Sequence, residues 1–354
     1  MTEPMRVLVA MSGGVDSSLA AALLHAAGHE VIGVTLHLWD AAGEDKVGRC
    51  CAPEDREDAR RTCDLLGVPH YVLDERQAFR RHVVDPFVQT NLAGRTPIPC
   101  VACNQQVKLA RLWQVAQSFG AQRVATGHYA RLRETPGGDV ELLRGRDASK
   151  DQSYFLFGAG QEVLRHLLFP LGELLKSEAR ELAREHGLPN WDKPDSQELC
   201  FVPDQDVRGF VERQVGHAAD GGEIIDAQGH VLGQHRGIAG FTVGQRRGLG
   251  IPGREPRYVL RIIEDTRQVV VGSAHELAVA ELSAQSVTWT GARPSAPFEA
   301  QLRIRSRHRP AECVVTPTEE GFTARFKQPE SAVAPGQAAV VYRGECVVGG
   351  GYIV

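Results

Sequence analysis

The chain has 354 residues, enough for two or three domains. It is 42% hydrophobic and 24% charged with a formal charge of −4, the make-up of an ordinary soluble globular protein. No apolar run approaches the ~18 residues that would suggest a membrane span. The N-terminus carries no basic region followed by a long apolar core, so no export signal is expected. Eight cysteines in such a chain point to the reducing cytoplasm, where thiols act as metal ligands or reactants. The net charge neither requires nor excludes nucleic acid, which local patches must decide.

Residues 5–11 form a short apolar run rich in Val and Leu, which reads as a buried parallel strand. Residues 12–16 make a tight loop with two adjacent glycines, and residues 19–24 open an Ala/Leu helix. Strand, Gly-rich turn and helix N-terminus together form an anion site, because first-turn N–H groups lack helical partners and the helix dipole adds positive charge. The loop is not a Walker A motif, since it has no Lys, and Asp16 stands where a phosphate clamp would avoid negative charge. An acid there makes sense if Mg²⁺ bridges it to phosphates. The pattern Ser-Gly-Gly-Val-Asp-Ser-Ser at 12–18 resembles the pyrophosphate loop of the ATP-pyrophosphatase (PP-loop) enzymes.

Further on, residues 30–39, 70–74 and 123–130 read as strands, and 54–66, 105–119 and 174–186 as helices. Strands alternating with helices predict an α/β, doubly wound parallel-sheet domain over 1–205, with ligands gathered at the carboxyl ends of its strands. The texture then changes. Residues 209–253 hold 12 of the 37 glycines and read as short strands and turns, giving a small β-rich central domain over 206–280. Short β patterns from residue 281 to 354 predict a C-terminal β-barrel or sandwich. Residues 303, 305, 307 and 309 are all Arg, and on a strand they would share one face as a phosphate stripe. Arg144, Arg146 and Lys150 form a second basic cluster.

Cys100-Val-Ala-Cys103 is ambiguous between half a zinc site, a redox pair and part of an iron–sulfur site. Cys50 and Cys51 are adjacent rather than spaced, which argues against a full Cys₄ zinc site. Cys103 would precede the 105–119 helix, where the dipole favours a thiolate. Cys63, Cys313 and Cys346 lie on apolar faces and read as core residues. A nucleotide-activating loop plus thiols has a chemical logic: ATP turns a carbonyl oxygen into an adenylate, and a sulfur nucleophile displaces AMP.

Six ordered motifs carry a wider match. They are the 12–18 loop, Pro99-Cys-Val-Ala-Cys-Asn104, Ala125-Thr-Gly-His-Tyr129, Lys150-Asp-Gln-Ser-Tyr-Phe-Leu156, Asp195-Ser-Gln-Glu-Leu-Cys-Phe201 and Gly244-Gln-Arg-Arg-Gly-Leu-Gly-Ile251. Together the chain resembles, over essentially its whole length, the tRNA-specific 2-thiouridylase family. The resemblance implies 2-thiolation of wobble uridine 34 in tRNAs for Lys, Glu and Gln, with ATP and Mg²⁺. It places ATP at Ala10, Met11, Ser12, Gly13, Gly14, Val15, Asp16, Ser17, Leu36 and Gly127. It makes Cys103 the catalytic nucleophile and Cys200 the persulfide carrier, charged by a sulfur-relay protein or a cysteine desulfurase. It sets Ile98, Pro99, Cys100, His128, Lys150, Asp151, Gln152, Arg305, Ser306 and Gln337 against tRNA. Three positions depart from the family pattern: Ile98 replaces Asn, Cys100 replaces Asp, and Ser306 replaces a Tyr that could stack on a base. An alternative route has Cys100, Cys103 and Cys200 hold a [4Fe–4S] cluster with an open fourth position. The remaining alternatives are another PP-loop chemistry such as amide ligation, and a non-enzymatic RNA- or metal-binding module.

Overall fold

The computed structural model describes residues 3–40, 53–195, 199–202, 206–217, 220–253 and 255–354. Cys50, Cys51 and residues 196–198 of the motif before Cys200 lie outside them. The chain divides into two compact units, one of residues 1–83, 100–201 and 345–348, the other of 84–99, 202–344 and 349–354. Among the described residues no helix is long and apolar enough to cross a membrane.

The first unit contains strands β1 (Arg6–Ala10), β2 (Glu30–His37), β3 (His70–Asp74), β4 (Arg123–Ala125), β5 (Ala130–Glu134), β6 (Val140–Arg144) and β7 (Leu167–Leu168). Five of them form a parallel sheet in the order β3-β2-β1-β4-β7. The chain runs outward from β1 to β3, then returns to β4 on the other side of β1. That reversal is the switch point where doubly wound sheets open a ligand crevice. The loop after β1 and residues 126–128 after β4 flank it. Helix α1 (Val15–Ala26) is buried nearly all round. Ala20, Ala21 and Leu24 pack on Val7, Val9 and Val31 of the sheet. Val15, Leu19 and Ala22 pack on Ala179, Ala183 and Leu188, in and just after the helix Lys176–Glu185. A helix sandwiched in this way needs small and apolar residues on every face. Helix α2 (Pro53–Leu66) sends Ala59 and Cys63 into the same core as the sheet.

Three local expectations are corrected. The strand expected over 123–130 stops at Ala125, and Ala130 already belongs to β5, paired antiparallel with β6. The chain leaves the sheet because Gly127 must lie against the backbone of Asp16 and Ser17: a Cβ there would stand 2.7 Å from Asp16 C and Ser17 N. The helix expected from residue 105 begins at Pro99, runs through a π-helical stretch, Cys103–Leu109, and ends at Ser118. Pro suits the first helical position because its missing N–H would have no partner there. Residues 209–215, read as part of a stretch of short strands and turns, belong to a helix, Val207–Val215. Asp206 caps it by accepting from Gly209 N at 3.0 Å, and Gly216 ends it at φ 79°.

The second unit holds two β structures. Strands β8 (Gly222–Ile225), β9 (Val231–His235), β10 (Tyr258–Ile263) and β11 (Gln268–Gly272) form a sheet in the order β10-β11-β8-β9. Its core is Ile224, Ile238, Phe241, Leu249, Val259, Val269 and Val271. Strands β12 (Ala278–Trp289), β13 (Phe298–Arg303), β14 (Ala311–Pro317), β15 (Gly321–Ser331), β16 (Ala338–Arg343) and β17 (Cys346–Ile353) follow one another as β12-β15-β14-β13-β16-β17. Pairing of β12 with β17 closes them into a six-stranded barrel, which removes the exposed edges. The first residues of β17, Cys346 and Val347, pair with β6 and belong to the first unit.

Candidate active site

The loop after β1 is built from its own hydroxyls. Ser17 Oγ accepts from Ser12 N at 3.1 Å and donates to Gly14 O at 3.0 Å. Ser12 and Ser17 Oγ lie 3.1 Å apart. Gly14, the residue before α1, is extended and gives α1 no side-chain cap, so the first-turn N–H groups remain available to an anion. Gly13 adopts φ 76°, and a Cβ there would sit 2.0 Å from Asp55 O. No residue with a side chain fits that contact in that conformation.

Two groups of distant residues hold the loop. Asn190 Nδ2 donates to Gly13 O and to Ser18 Oγ, both at 3.0 Å. Lys193 Nζ donates to Gly13 O at 3.2 Å and to Asp55 and Asp58, each at 2.6 Å. Burial opposes the Lys193 charge, but the hydrogen bonds to Asp55 and Asp58 outweigh it and raise its pKa. On the other side, Lys176 Nζ donates to both oxygens of Asp16, at 2.7 and 2.8 Å, and Tyr129 OH donates to Asp16 at 2.9 Å. Burial and the Asp16 charge push the Tyr129 phenol up, so it stays a donor. Lys176 also reaches Asp195 at 2.9 Å, where Lys150 at 2.7 Å and Arg180 at 3.0 Å converge. Burial works to raise the Asp195 pKa, yet the Lys150 and Lys176 hydrogen bonds bring it down to about 2.

Sequence reasoning missed Lys176, Asn190 and Lys193, and named Tyr129 and Asp195 only within motifs, with no role of their own. Spacing offers no signal for them, since Lys176 lies 160 positions from Asp16. The donor set suits Mg²⁺: the Asp16 carboxylate and the Ser12 and Ser17 hydroxyls are hard oxygens beside an anion loop, and Mg²⁺ usually takes a carboxylate together with phosphate oxygens.

Of the other residues proposed for ATP, Met11 and Val15 are buried and Ala10 and Leu36 half-buried. Leu36 lies near the carboxyl end of β2, paired with Leu73 of β3. Cys103 is buried, Cys100 exposed and Cys200 half-buried. The helix-terminus argument for Cys103 does not hold, because the turn Pro99–Ala102 precedes it and Cys100 takes the first-turn place. Among the described residues no three His, Cys, Asp or Glu side chains are grouped to hold a metal, so Cys100, Cys103 and Cys200 do not form a ligand set in this conformation. Phe201, next to Cys200, is anchored by Phe79 (5.5 Å between ring centres) and Trp39 (6.4 Å). Cys63 and Cys313 are core residues, and burial pushes each thiol up to about 12.

The residues assigned to tRNA divide between the units. In the first unit, Gln152 holds Tyr129 N at 2.8 Å, and Asp151 accepts from Gly145 N and Ser153 N. His128 Nδ1 meets Thr126 Oγ1 at 2.7 Å, and burial followed by the Lys108 charge lowers its pKa to about 3. Arg146 of the second basic cluster pairs with Glu178 at 3.0 Å. In the second unit, Gln337 Nε2 donates to Thr96 O at 3.1 Å and to Pro97 O at 3.3 Å, so it braces the segment carrying Ile98 and Pro99. The four-arginine stripe is corrected. β13 ends at Arg303, and residues 304–307 turn. Arg303 is buried, packs over the Tyr342 ring at 5.8 Å and bonds Ser306 O, while Arg305, Arg307 and Arg309 are exposed and Ser306 is half-buried.

Family models described as tRNA methyl transferase HUP domain, tRNA methyl transferase PRC-barrel domain and aminomethyltransferase beta-barrel domain match residues 5–204, 208–273 and 279–353. A tRNA-specific 2-thiouridylase MnmA of Sorangium cellulosum is 48% identical over 98% of this chain and 92% of its own length. One from Geobacter metallireducens is also 48% identical, over 100% of this chain and 98% of its own. With its three matched domains and near-complete coverage in both directions, the chain belongs to the MnmA family of tRNA-specific 2-thiouridylases.

Proposed function

We propose that this chain is an ATP- and Mg²⁺-dependent sulfurtransferase that converts uridine 34 of tRNAs for Lys, Glu and Gln into 2-thiouridine. The observation that carries this reading is the loop around Asp16: an uncapped helix N-terminus at the sheet's switch point, with a carboxylate set beside it and full-length kinship to 2-thiouridylases. Residues 1–205 form the catalytic domain, and 206–280 and 281–354 the two smaller ones. Ala10 to Ser17 receive the phosphates, with Leu36 and Gly127 beside the nucleoside. Asp16 would hold Mg²⁺, which would supply positive charge to neutralise the phosphates. Uridine O2 attacks the α-phosphorus and pyrophosphate leaves. Cys200 carries a persulfide received from a sulfur-relay protein or cysteine desulfurase. The Cys103 thiolate attacks Cys200 Sγ, a Cys103–Cys200 disulfide forms, and the terminal sulfur leaves as hydrosulfide. That sulfur attacks C2 and expels AMP, and a thiol reductant then restores both cysteines. Lys150, Asp151, Gln152, His128, Ile98, Pro99, Cys100, Gln337, Arg305 and Ser306 position the RNA, and the wobble base must be splayed from its loop to be reached.

Cysteine variants test the sulfur steps. Cys103→Ser and Cys200→Ser should abolish thiolation while tRNA-dependent pyrophosphate release persists, and Cys100→Ser should keep most activity. If Cys100→Ser is as inactive as the other two and anaerobically purified protein carries iron, the persulfide route is wrong and the iron–sulfur route replaces it.

A further inference from the structure

Lys176 is placed unusually for a salt-bridge lysine. Its ammonium is bonded to three carboxylate oxygens: both of Asp16 (2.7 and 2.8 Å) and Oδ1 of Asp195 (2.9 Å). Its side chain is 11% exposed, while that of Asp16 is 32% exposed. Among the described residues, Lys176 is the cation on Asp16, whose other side-chain partner is the neutral Tyr129 hydroxyl. Asp195 is supplied differently, because Lys150 and Arg180 also bond it. The two ends of the bridge are therefore unequal. Asp195 remains compensated when Lys176 moves, whereas Asp16 does not.

An anion at the first turn of α1 would meet the Asp16 charge unless a cation lies between them. A divalent ion fills that place better than an ammonium, since it is strongly attracted to carboxylate and phosphate oxygens together. A lysine has a flexible four-carbon stem and three rotatable donors, so it can exchange one oxygen partner for another without moving its backbone.

On the nucleotide-binding reading of this loop, we infer that Lys176 is the resident counter-cation of Asp16 and changes partner on loading. It gives the Asp16 carboxylate to the divalent ion, turns to a phosphate oxygen and keeps Asp195 as its second anchor. It is a positioning residue for the nucleotide and a competitor of the metal in the nucleotide-free protein. These two roles give one substitution opposite effects on two ligands.

The test uses the full chain and Mn²⁺ alone as probe, read by loss of the free-ion paramagnetic resonance signal. Lys176→Met should bind Mn²⁺ about tenfold more tightly than wild type without nucleotide, because Asp16 loses its cation while Asp195 keeps Lys150 and Arg180. Adding Asp16→Asn should remove the gain. In magnesium-free solution the same Lys176→Met protein should bind ATP about tenfold more weakly. A purely structural salt bridge would move neither affinity in this paired way. Lys176→Gln keeps a donor toward Asp195 and should show the same signs, which covers a Met variant that folds poorly. Equal Mn²⁺ affinity in wild type and variants, or a gain that survives Asp16→Asn, overturns the inference. If wild type binds no ATP at all, the nucleotide reading falls and the partner change with it, and the Mn²⁺ arm still decides whether Lys176 is the counter-cation.

Discussion

The turn after β1 and the turn after β13 both follow a buried strand and both gather polar side chains. In the first, distant residues converge on the turn: Lys176, Tyr129, Asn190 and Lys193 reach it from more than a hundred positions away. Each charge there has an opposite charge beside it, and the backbone is held to a shape only glycine permits at residue 13. In the second, Arg303 folds inward onto Tyr342 and Ser306, and Arg305, Arg307 and Arg309 face solvent. One turn is locked by residues distant in the chain, while the other is held by Arg303 within it and by the contact of His308 Nε2 with Glu330 at 3.1 Å. A rigid, charge-balanced loop suits placing phosphates for in-line attack, and an exposed basic turn suits loose contact with a polyanion.

Substitutions can break this contrast, and the largest expected effect is at Gly13. Gly13→Ala should cost about 4 kcal/mol in urea unfolding, combining a left-handed backbone with collision against Asp55. Gly344 in the barrel has nearly the same φ, 62°, but open space around it, so Gly344→Ala should cost only about 1 kcal/mol. Equal losses at both sites would show that conformation alone matters and that the packed loop adds nothing. Next comes Lys193→Met, which leaves the buried Asp55 and its neighbour Asp58 without their shared cation and should cost about 3 kcal/mol.

Much of the nucleotide loop was legible because its signal is local. An apolar strand, two glycines and an Ala/Leu helix lie within about twenty consecutive residues, and each part reports its own backbone. What could not be read is who arrives from elsewhere. Lys176 opens a Lys-Ser-Glu-Ala-Arg helix that looks like a solvated face, and nothing in that segment says its ammonium is buried on Asp16. The arginine alternation misled for the opposite reason. It assumed a strand that continued past residue 303, but a turn begins there and the first arginine is consumed by packing. Pro99 was a readable helix start, but the sequence reading began that helix only at residue 105.

Smaller effects sharpen the comparison. Arg303→Ala should destabilise the barrel by about 1–2 kcal/mol without changing the salt dependence of tRNA binding. Asp195 gives an acid signature. Its folded pKa, about 2, lies below its ordinary 3.8, so its stabilisation is present above about pH 4 and disappears as pH falls toward 2. Asp195→Asn should flatten that part of the acid unfolding curve. Replacing Arg305, Arg307 and Arg309 together with Ala should leave stability nearly unchanged and lower the salt slope of tRNA binding by about 0.7–0.9 for each phosphate no longer neutralised. An unchanged slope would move the RNA surface elsewhere.

The central claim is that this chain uses ATP to exchange O2 of a tRNA uridine for sulfur. The most direct measurement incubates the protein with ATP, Mg²⁺, a sulfide source and unmodified tRNA, then analyses the digested nucleosides. The account predicts ATP-dependent 2-thiouridine at position 34 and its loss, with loss of pyrophosphate release, in Asp16→Ala. Pyrophosphate release without thiouridine, or undiminished release by Asp16→Ala, would contradict it.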